Sequence, residues 1–164
     1  MIQSRVIRAG VVAIAGAIFA LDRWTKWIVE TTFSPFDNKV IIPGFFSIVR
    51  SENPGIAFGL FQESTSKYRT GALVVFSVLA IAILAWMLRR VDKMDRWTSL
   101  GLSLIFGGAL GNVYDRVRVG AVTDFLDFYL GNVHWYTFNI ADSAICTGAA
   151  LLLIAMWKKP ATRS

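Results

Sequence analysis

Two aspartates carry the most chemistry in this chain: Asp124, in Val122-Thr123-Asp124-Phe125, and Asp142, in Phe138-Asn139-Ile140-Ala141-Asp142-Ser143. Both stand where the surrounding sequence is built for hydrocarbon. A carboxylate there costs a few kcal/mol or more, so an intramembrane acid marks a functional site by default. Two carboxylates held a few ångströms apart cannot both ionise readily, and a single proton is then shared near neutral pH. The ionised member can take a proton from a water as that water attacks an amide carbonyl. The protonated member donates to the carbonyl oxygen and then to the leaving nitrogen. Such hydrolysis needs no side-chain nucleophile, metal or cofactor, and none is expected. Asp142 lies near the positive end of the helix it opens, so the shared proton is expected more often on Asp124. A Ser143–His134 nucleophile–base pair lacks an evident third orienting group. One cysteine, Cys146, and one histidine, His134, provide neither an intrachain disulfide nor a Cys/His metal set.

The elements that position these acids are membrane elements. At 55% hydrophobic residues and mean hydropathy +0.53, the chain is too apolar for an ordinary soluble domain. Stretches 6–29, 70–88, 97–113 and 138–157 are each long enough to cross about 30 Å of hydrocarbon at roughly 1.5 Å per residue. The net charge of +6 raises nucleic acid as a partner, but the basic residues sit at the ends of apolar runs, so no nucleic acid is expected. The first run is long and lacks a small-x-small exit, which reads as a retained span. Arg5 and Arg8 precede it, Arg89, Arg90, Lys93 and Arg96 link the second and third runs, and Lys158, Lys159 and Arg163 follow the fourth. All fall on one side, expected to be the cytoplasm with both termini, which places 30–69 and 114–137 outside.

The expected fold is thus one integral membrane domain over 1–164, mainly α: a four-transmembrane-helix bundle with a small extracytoplasmic β-sheet between helices 1 and 2. Strands are expected at 39–42, 45–49 and 57–61, separated by Pro43-Gly44 and Asn53-Pro54-Gly55. Gly107, Gly108 and Gly111 place small residues at helical spacing, suited to close helix packing. No internal repeat of the transporter kind is present.

Measured from cytoplasmic anchors, three spans deliver a polar residue to one depth. Arg8 to Asp22 is about 21 Å of helix, and Trp97 to Asn112 and Trp157 to Asp142 are each about 22 Å. Asp22 and Lys26 are four apart, as are Asn112 and Arg116, and Asn139 and Asp142 are three apart, so each pair shares a helix face. Asp22–Lys26 reads as a structural ion pair. Asn112 and Arg116 read as site residues or as an interfacial anchor with a snorkelling head. Asp115 and Asp127 read as solvated loop acids. A rival reading is a proton-coupled transporter with Asp22, Asp124 and Asp142 as its relay. A relay needs acids at several depths, and these share one. A non-catalytic scaffold would tolerate asparagine at Asp124 and Asp142.

Five motifs, in this order, make the chain resemble the lipoprotein signal peptidases, the type II signal peptidases of bacteria, nearly end to end. They are Asp22-Arg23-Trp24-Thr25-Lys26, Asn53-Pro54-Gly55-Ile56-Ala57-Phe58-Gly59, Gly107-Gly108-Ala109-Leu110-Gly111-Asn112-Val113-Tyr114-Asp115-Arg116, Val122-Thr123-Asp124-Phe125 and Phe138-Asn139-Ile140-Ala141-Asp142-Ser143. Departures from the family pattern at Ile56, Tyr114 and Thr123 are mild and leave the acids untouched. The resemblance implies an intramembrane aspartyl endopeptidase of the bacterial cytoplasmic (inner) membrane, its active site near the extracytoplasmic face. Its substrate would be a diacylglyceryl-modified prolipoprotein, cut just before the lipidated cysteine. Asp124 and Asp142 would be the catalytic pair. Asn53, Asn112, Arg116 and Asn139 would bind substrate, and Asp22, Lys26, Gly55, Ala141 and Ser143 would support the pocket. Membrane lipids and a globomycin-type inhibitor are the further partners implied, with a monomer sufficient. The segment 61–67 is placed to act as a lid.

Overall fold

No proline interrupts the four long apolar runs, and each is a helix in the computed structural model, which describes residues 2–35, 37–55 and 67–158. The helices are α1 (Ile2–Thr32), α2 (Lys67–Leu88), α3 (Arg96–Val119) and α4 (Ile140–Lys158). The clearest departure from the expected ends is in α3, which continues beyond residue 113 to Val119, whereas α4 begins at Ile140, two residues inside its expected start. α2 and α4 are each long and apolar enough to cross a membrane, over Gly71–Leu88 and Ile140–Lys158. Their exposed faces carry Val75, Phe76, Leu79 and Ile83 on one and Leu153 and Met156 on the other. α1 and α3 instead turn charged residues inward: Asp22, Lys26 and Asp115 are buried.

α3 is sharply bounded. Asp95 caps its start, its Oδ1 accepting from the backbone N–H of Trp97 and Thr98 at 3.0 Å each, worth about 1 kcal/mol. Gly120 closes its end in a left-handed conformation at φ 81°. Against α4, glycines let the two backbones meet. A Cβ on Gly108 would lie 2.5 Å from the Ala141 carbonyl oxygen, and one on Gly148 would lie 2.5 Å from that of Gly101. On its other side a Cβ on Gly107 would lie 2.6 Å from the carbonyl oxygen of Ala15 in α1. The glycines therefore do the packing expected of them.

Between α1 and α2 lie β1 (Asn38–Ile42) and β2 (Phe46–Asn53), joined across Gly44 at φ 77°. The sheet does not end there. β3 (Val122–Leu130) and β4 (Val133–His134), both between α3 and α4, extend it in the order β1-β2-β3-β4, all antiparallel. This corrects the expectation of a sheet confined to 30–69. β3 is buried at Val122, Thr123, Asp124, Phe125 and Asp127. It is covered on both faces and lacks the apolar/polar alternation that marks a half-exposed strand. β2 and β3 register Ser51 against Asp124, Glu52 against Thr123 and Asn53 against Val122, with a bulge between Ile48 and Ser51. Phe128 stacks on Phe46 and Phe138 at centroid distances of 4.7 and 5.8 Å. The strand expected at 57–61, nearly all of the lid at 61–67, Ile56 and the anchors Lys159 and Arg163 lie outside the described residues.

Candidate active site

Asp142 is placed by the start of α4. Asn139 precedes the helix, and its Oδ1 accepts from the backbone N–H of Asp142 at 2.9 Å, an N-cap bond to the third helical residue. That cap fixes the amide, because a backbone N–H can only donate. The other end of the Asn139 amide, Nδ2, therefore faces Asp124 and donates to its Oδ1 at 2.7 Å. Asp124 comes from β3, and its second oxygen accepts from Asn53 Nδ2 of β2 at 3.1 Å. A second asparagine is oriented the same way. Lys26 Nζ, which can only donate, bonds Asn112 Oδ1 at 3.0 Å, so Asn112 Nδ2 faces Asp142 and donates to its Oδ1 at 2.8 Å. Each aspartate thus receives a donor from an asparagine whose orientation is set by an unambiguous partner.

Beneath this layer lies a buried charge network. Lys26 is fully buried and meets Asp22 Oδ2 at 2.8 Å and Asp115 Oδ2 at 2.7 Å. With Asn112, three oxygens answer the three protons of its ammonium. Asp115 also pairs with Arg23 Nη1, so two buried carboxylates stand against two cations. Asp22 reaches further. Its Oδ1 accepts from the backbone N–H of Ala141 at 2.9 Å, satisfying a donor in the first turn of α4. Gly111 makes this crossing possible, since a Cβ there would collide with the Asp22 carboxylate.

Asp115 is not the solvated loop acid expected. α3 continues through it, and it lies one turn beyond Asn112, facing inward with 2% exposure. Its spacing of three from Asn112 is the signal that could have placed it. Asp127 is likewise buried in β3, with both its oxygens at 2.9 and 3.0 Å from His134 Nδ1. That bond engages His134 away from Ser143, whose Oγ donates to the Asn139 carbonyl at 2.9 Å. Arg116 turns toward the site: Nη1 donates to the Asn112 carbonyl at 3.3 Å and Nη2 to that of Gly55 at 3.2 Å. The Gly55 N–H in turn donates to Asn53 Oδ1 at 2.9 Å. Every residue singled out for the site therefore belongs to one connected network, to which Arg23 and Asp115 are additions.

Burial pushes Asp124 up from 3.8 to about 7, and the nearby negative charge of Asp142 adds to the rise. The bonds from Asn53 and Asn139 oppose it. Asp124 is 3% exposed, whereas Asp142 remains partly open. The arrangement can hold one proton on Asp124 and present a carboxylate on Asp142 to an incoming water.

Residues 14–158 match the family model described as signal peptidase (SPase) II. The chain is similar to a lipoprotein signal peptidase of Solibacter usitatus (strain Ellin6076), 56% identical over 141 residues that cover 86% of both chains. It is also similar to one from Nitratidesulfovibrio vulgaris (strain DP4), 44% identical over 152 residues, 92% of this chain and 90% of the relative. A solved structure described as a bacterial membrane enzyme, determined by the in meso method at 2.3 Å resolution, superposes with a TM-score of 0.81. It shares 30% identity and covers 95% of this chain and 92% of its own.

Proposed function

The chain belongs to the signal peptidase II family, and from that premise we propose that it is an aspartyl endopeptidase in which Asp124 and Asp142 cleave the signal peptide just before the lipidated cysteine. It is a membrane protease that removes signal peptides from prolipoproteins. The observation that carries the aspartyl reading is the pair of fixed amides, Asn112 on Asp142 and Asn139 on Asp124. They hold two carboxylates from different elements, one raised to about 7 and the other partly open.

In the mechanism the Asp142 carboxylate takes a proton from water, and the water oxygen bonds to the scissile carbonyl carbon. Asp124 gives its proton to the carbonyl oxygen. Collapse of the tetrahedral intermediate re-forms C=O and breaks the C–N bond; the proton taken up by Asp142 passes to the leaving amine, and the hydroxyl proton given by Asp124 returns to it. Asn53 and Arg116, tied through Gly55, flank the peptide, while Asp22, Lys26, Ala141 and Ser143 brace the first turn of α4. All four helices span, with both termini in the cytoplasm and the sheet on the outer face of the bacterial inner membrane. The basic residues Arg5, Arg8, Arg89, Arg90, Lys93, Arg96 and Lys158 at one end of the bundle support this orientation. The enzyme acts as a monomer, lipid tails of the substrate stay in the bilayer, and a globomycin-type cyclic peptide inhibits by lying between the two acids.

The test is a gel-shift cleavage assay with purified enzyme and a diacylglyceryl-modified prolipoprotein. Asp124→Asn and Asp142→Asn are expected to fold and to lose at least ~10³-fold in rate. Unimpaired cleavage by either variant would remove that acid from the mechanism.

A further inference from the structure

Behind the strand pair that carries Asn53 and Asp124 lies a cavity of about 350 Å³, within the size of small-ligand sites. Its lining includes Trp27, Glu30, Arg50, Glu52, Arg118 and Thr123. Glu52 registers with Thr123, and Ser51 with Asp124. Side chains alternate along a strand, so Glu52 and Thr123 face away from the acid pair. The cavity is therefore separate from the candidate active site and shares a wall with it.

The wall is rigid. Glu30 accepts from Thr123 Oγ1 at 2.9 Å and from Arg118 Nη1 at 3.2 Å. Arg50 Nη1 donates to the Glu30 and Phe33 carbonyls at 3.0 and 2.8 Å, capping the end of α1, and Nη2 reaches Glu52 at 3.3 Å. Arg50 Nε, however, is buried with no partner among the described residues. A buried donor on a cation left without an acceptor is costly, but Nε is sealed from water and so from a ligand oxygen, and the charges the cavity presents are those of Arg118 and Glu52. The Arg118 and Glu52 side chains are 52% and 56% exposed and open to a ligand.

We propose that this cavity binds the ammonium-phosphodiester headgroup of a zwitterionic phospholipid. The phosphate oxygens meet Arg118, and the ammonium meets Glu52. Two cations and two carboxylates line the cavity, which matches a headgroup of zero net charge. Trp27, exposed on α1 one turn before Glu30, places an aromatic ring at the interface where a lipid's glycerol would lie. The inference rests on the outer-face placement proposed above and not on the cleavage chemistry.

The test is native mass spectrometry of the delipidated full chain offered equal amounts of phosphatidylethanolamine and phosphatidylglycerol with identical acyl chains. Wild type is expected to retain the ethanolamine lipid about fivefold better, the upper range for an accessible charge pair. Glu52→Gln should abolish that preference, and Arg118→Gln should weaken retention of both lipids. Equal retention by wild type, or unchanged retention in both variants, overturns the site. Displacement of bound lipid by soluble glycerophosphoethanolamine at equal concentration overturns the lipid assignment. Prolipoprotein cleavage is read on the same samples: loss of preference with cleavage intact defeats the headgroup site alone, and preference without cleavage defeats the peptidase reading alone.

Discussion

Lys26 answers three oxygens with one buried charge, and two of them belong to buried carboxylates: Asp115, which also has Arg23, and Asp22, whose other partner is the Ala141 N–H. Lys26→Met is expected to destabilise the enzyme by roughly 3–5 kcal/mol, because it leaves Asp22 buried without a cation and Asp115 with Arg23 alone, rather than merely deleting a contact. It also frees the Asn112 amide to turn its oxygen toward Asp142, so cleavage by the surviving folded fraction should fall about tenfold or more. Thermal unfolding in micelles, read beside the cleavage rate per folded molecule, checks both. Asp124 gives a prediction in pH. Its carboxyl is raised from 3.8 to about 7, so between those values the folded protein holds a proton that the unfolded chain has lost. Stability is therefore full below 3.8 and declines as pH rises toward 7, by on the order of a few kcal/mol. Asp124→Asn lacks this decline, so its melting temperature relative to wild type should climb across that window. In the wild type the same deprotonation would remove the proposed general acid, so kcat/KM should fall as pH rises through about 7, with the pair titrating as a unit.

The contact of α3 with α4 sets the distance between Asn112 and Asp142, and glycine sets the contact. Gly108→Ala would drive a methyl group to 2.5 Å from the Ala141 carbonyl oxygen. It is expected to cost about 1–3 kcal/mol and to slow cleavage by moving α4 away from Asn112. Gly10→Ala on α1 meets nothing within 4 Å and should be neutral or raise stability by up to about 1 kcal/mol. Chemical denaturation of the two variants side by side separates close approach from helix propensity. The helices and these glycines were legible in the sequence because apolar length and small-residue spacing are local signals. So was the convergence of Asp22, Asn112 and Asp142, since helical rise converts sequence separation into depth. β3 was not legible. Burial on both faces erased its alternation, and its pairing with β2 joins segments some seventy residues apart. Asp115 was missed for a related reason: α3 continues through charged residues that look like a loop when hydropathy alone draws the boundary.

At the scale of the molecule, the basic residues Arg5, Arg8, Arg89, Arg90, Lys93, Arg96 and Lys158 lie away from the sheet, and labelling can test the orientation proposed from them. In a Cys146→Ala background, an impermeant maleimide should modify the Asn132→Cys variant in intact spheroplasts. It should modify Lys93→Cys only after lysis, since Asn132 lies in the exposed β3–β4 turn and Lys93 in the exposed α2–α3 link. The reverse pattern would invert the topology. The bond from Asp22 to the Ala141 N–H, spanning 119 positions of sequence, also bears on biogenesis. α1 emerges from the ribosome long before α4, so Asp22 must wait for the last donor whose hydrogen bond it accepts. Asp142 arrives on that same late helix. On the proposed mechanism, a nascent chain truncated before α4 carries the supporting charges and half of the acid pair but no competent centre, and proteolytic power is withheld until α4 is in place.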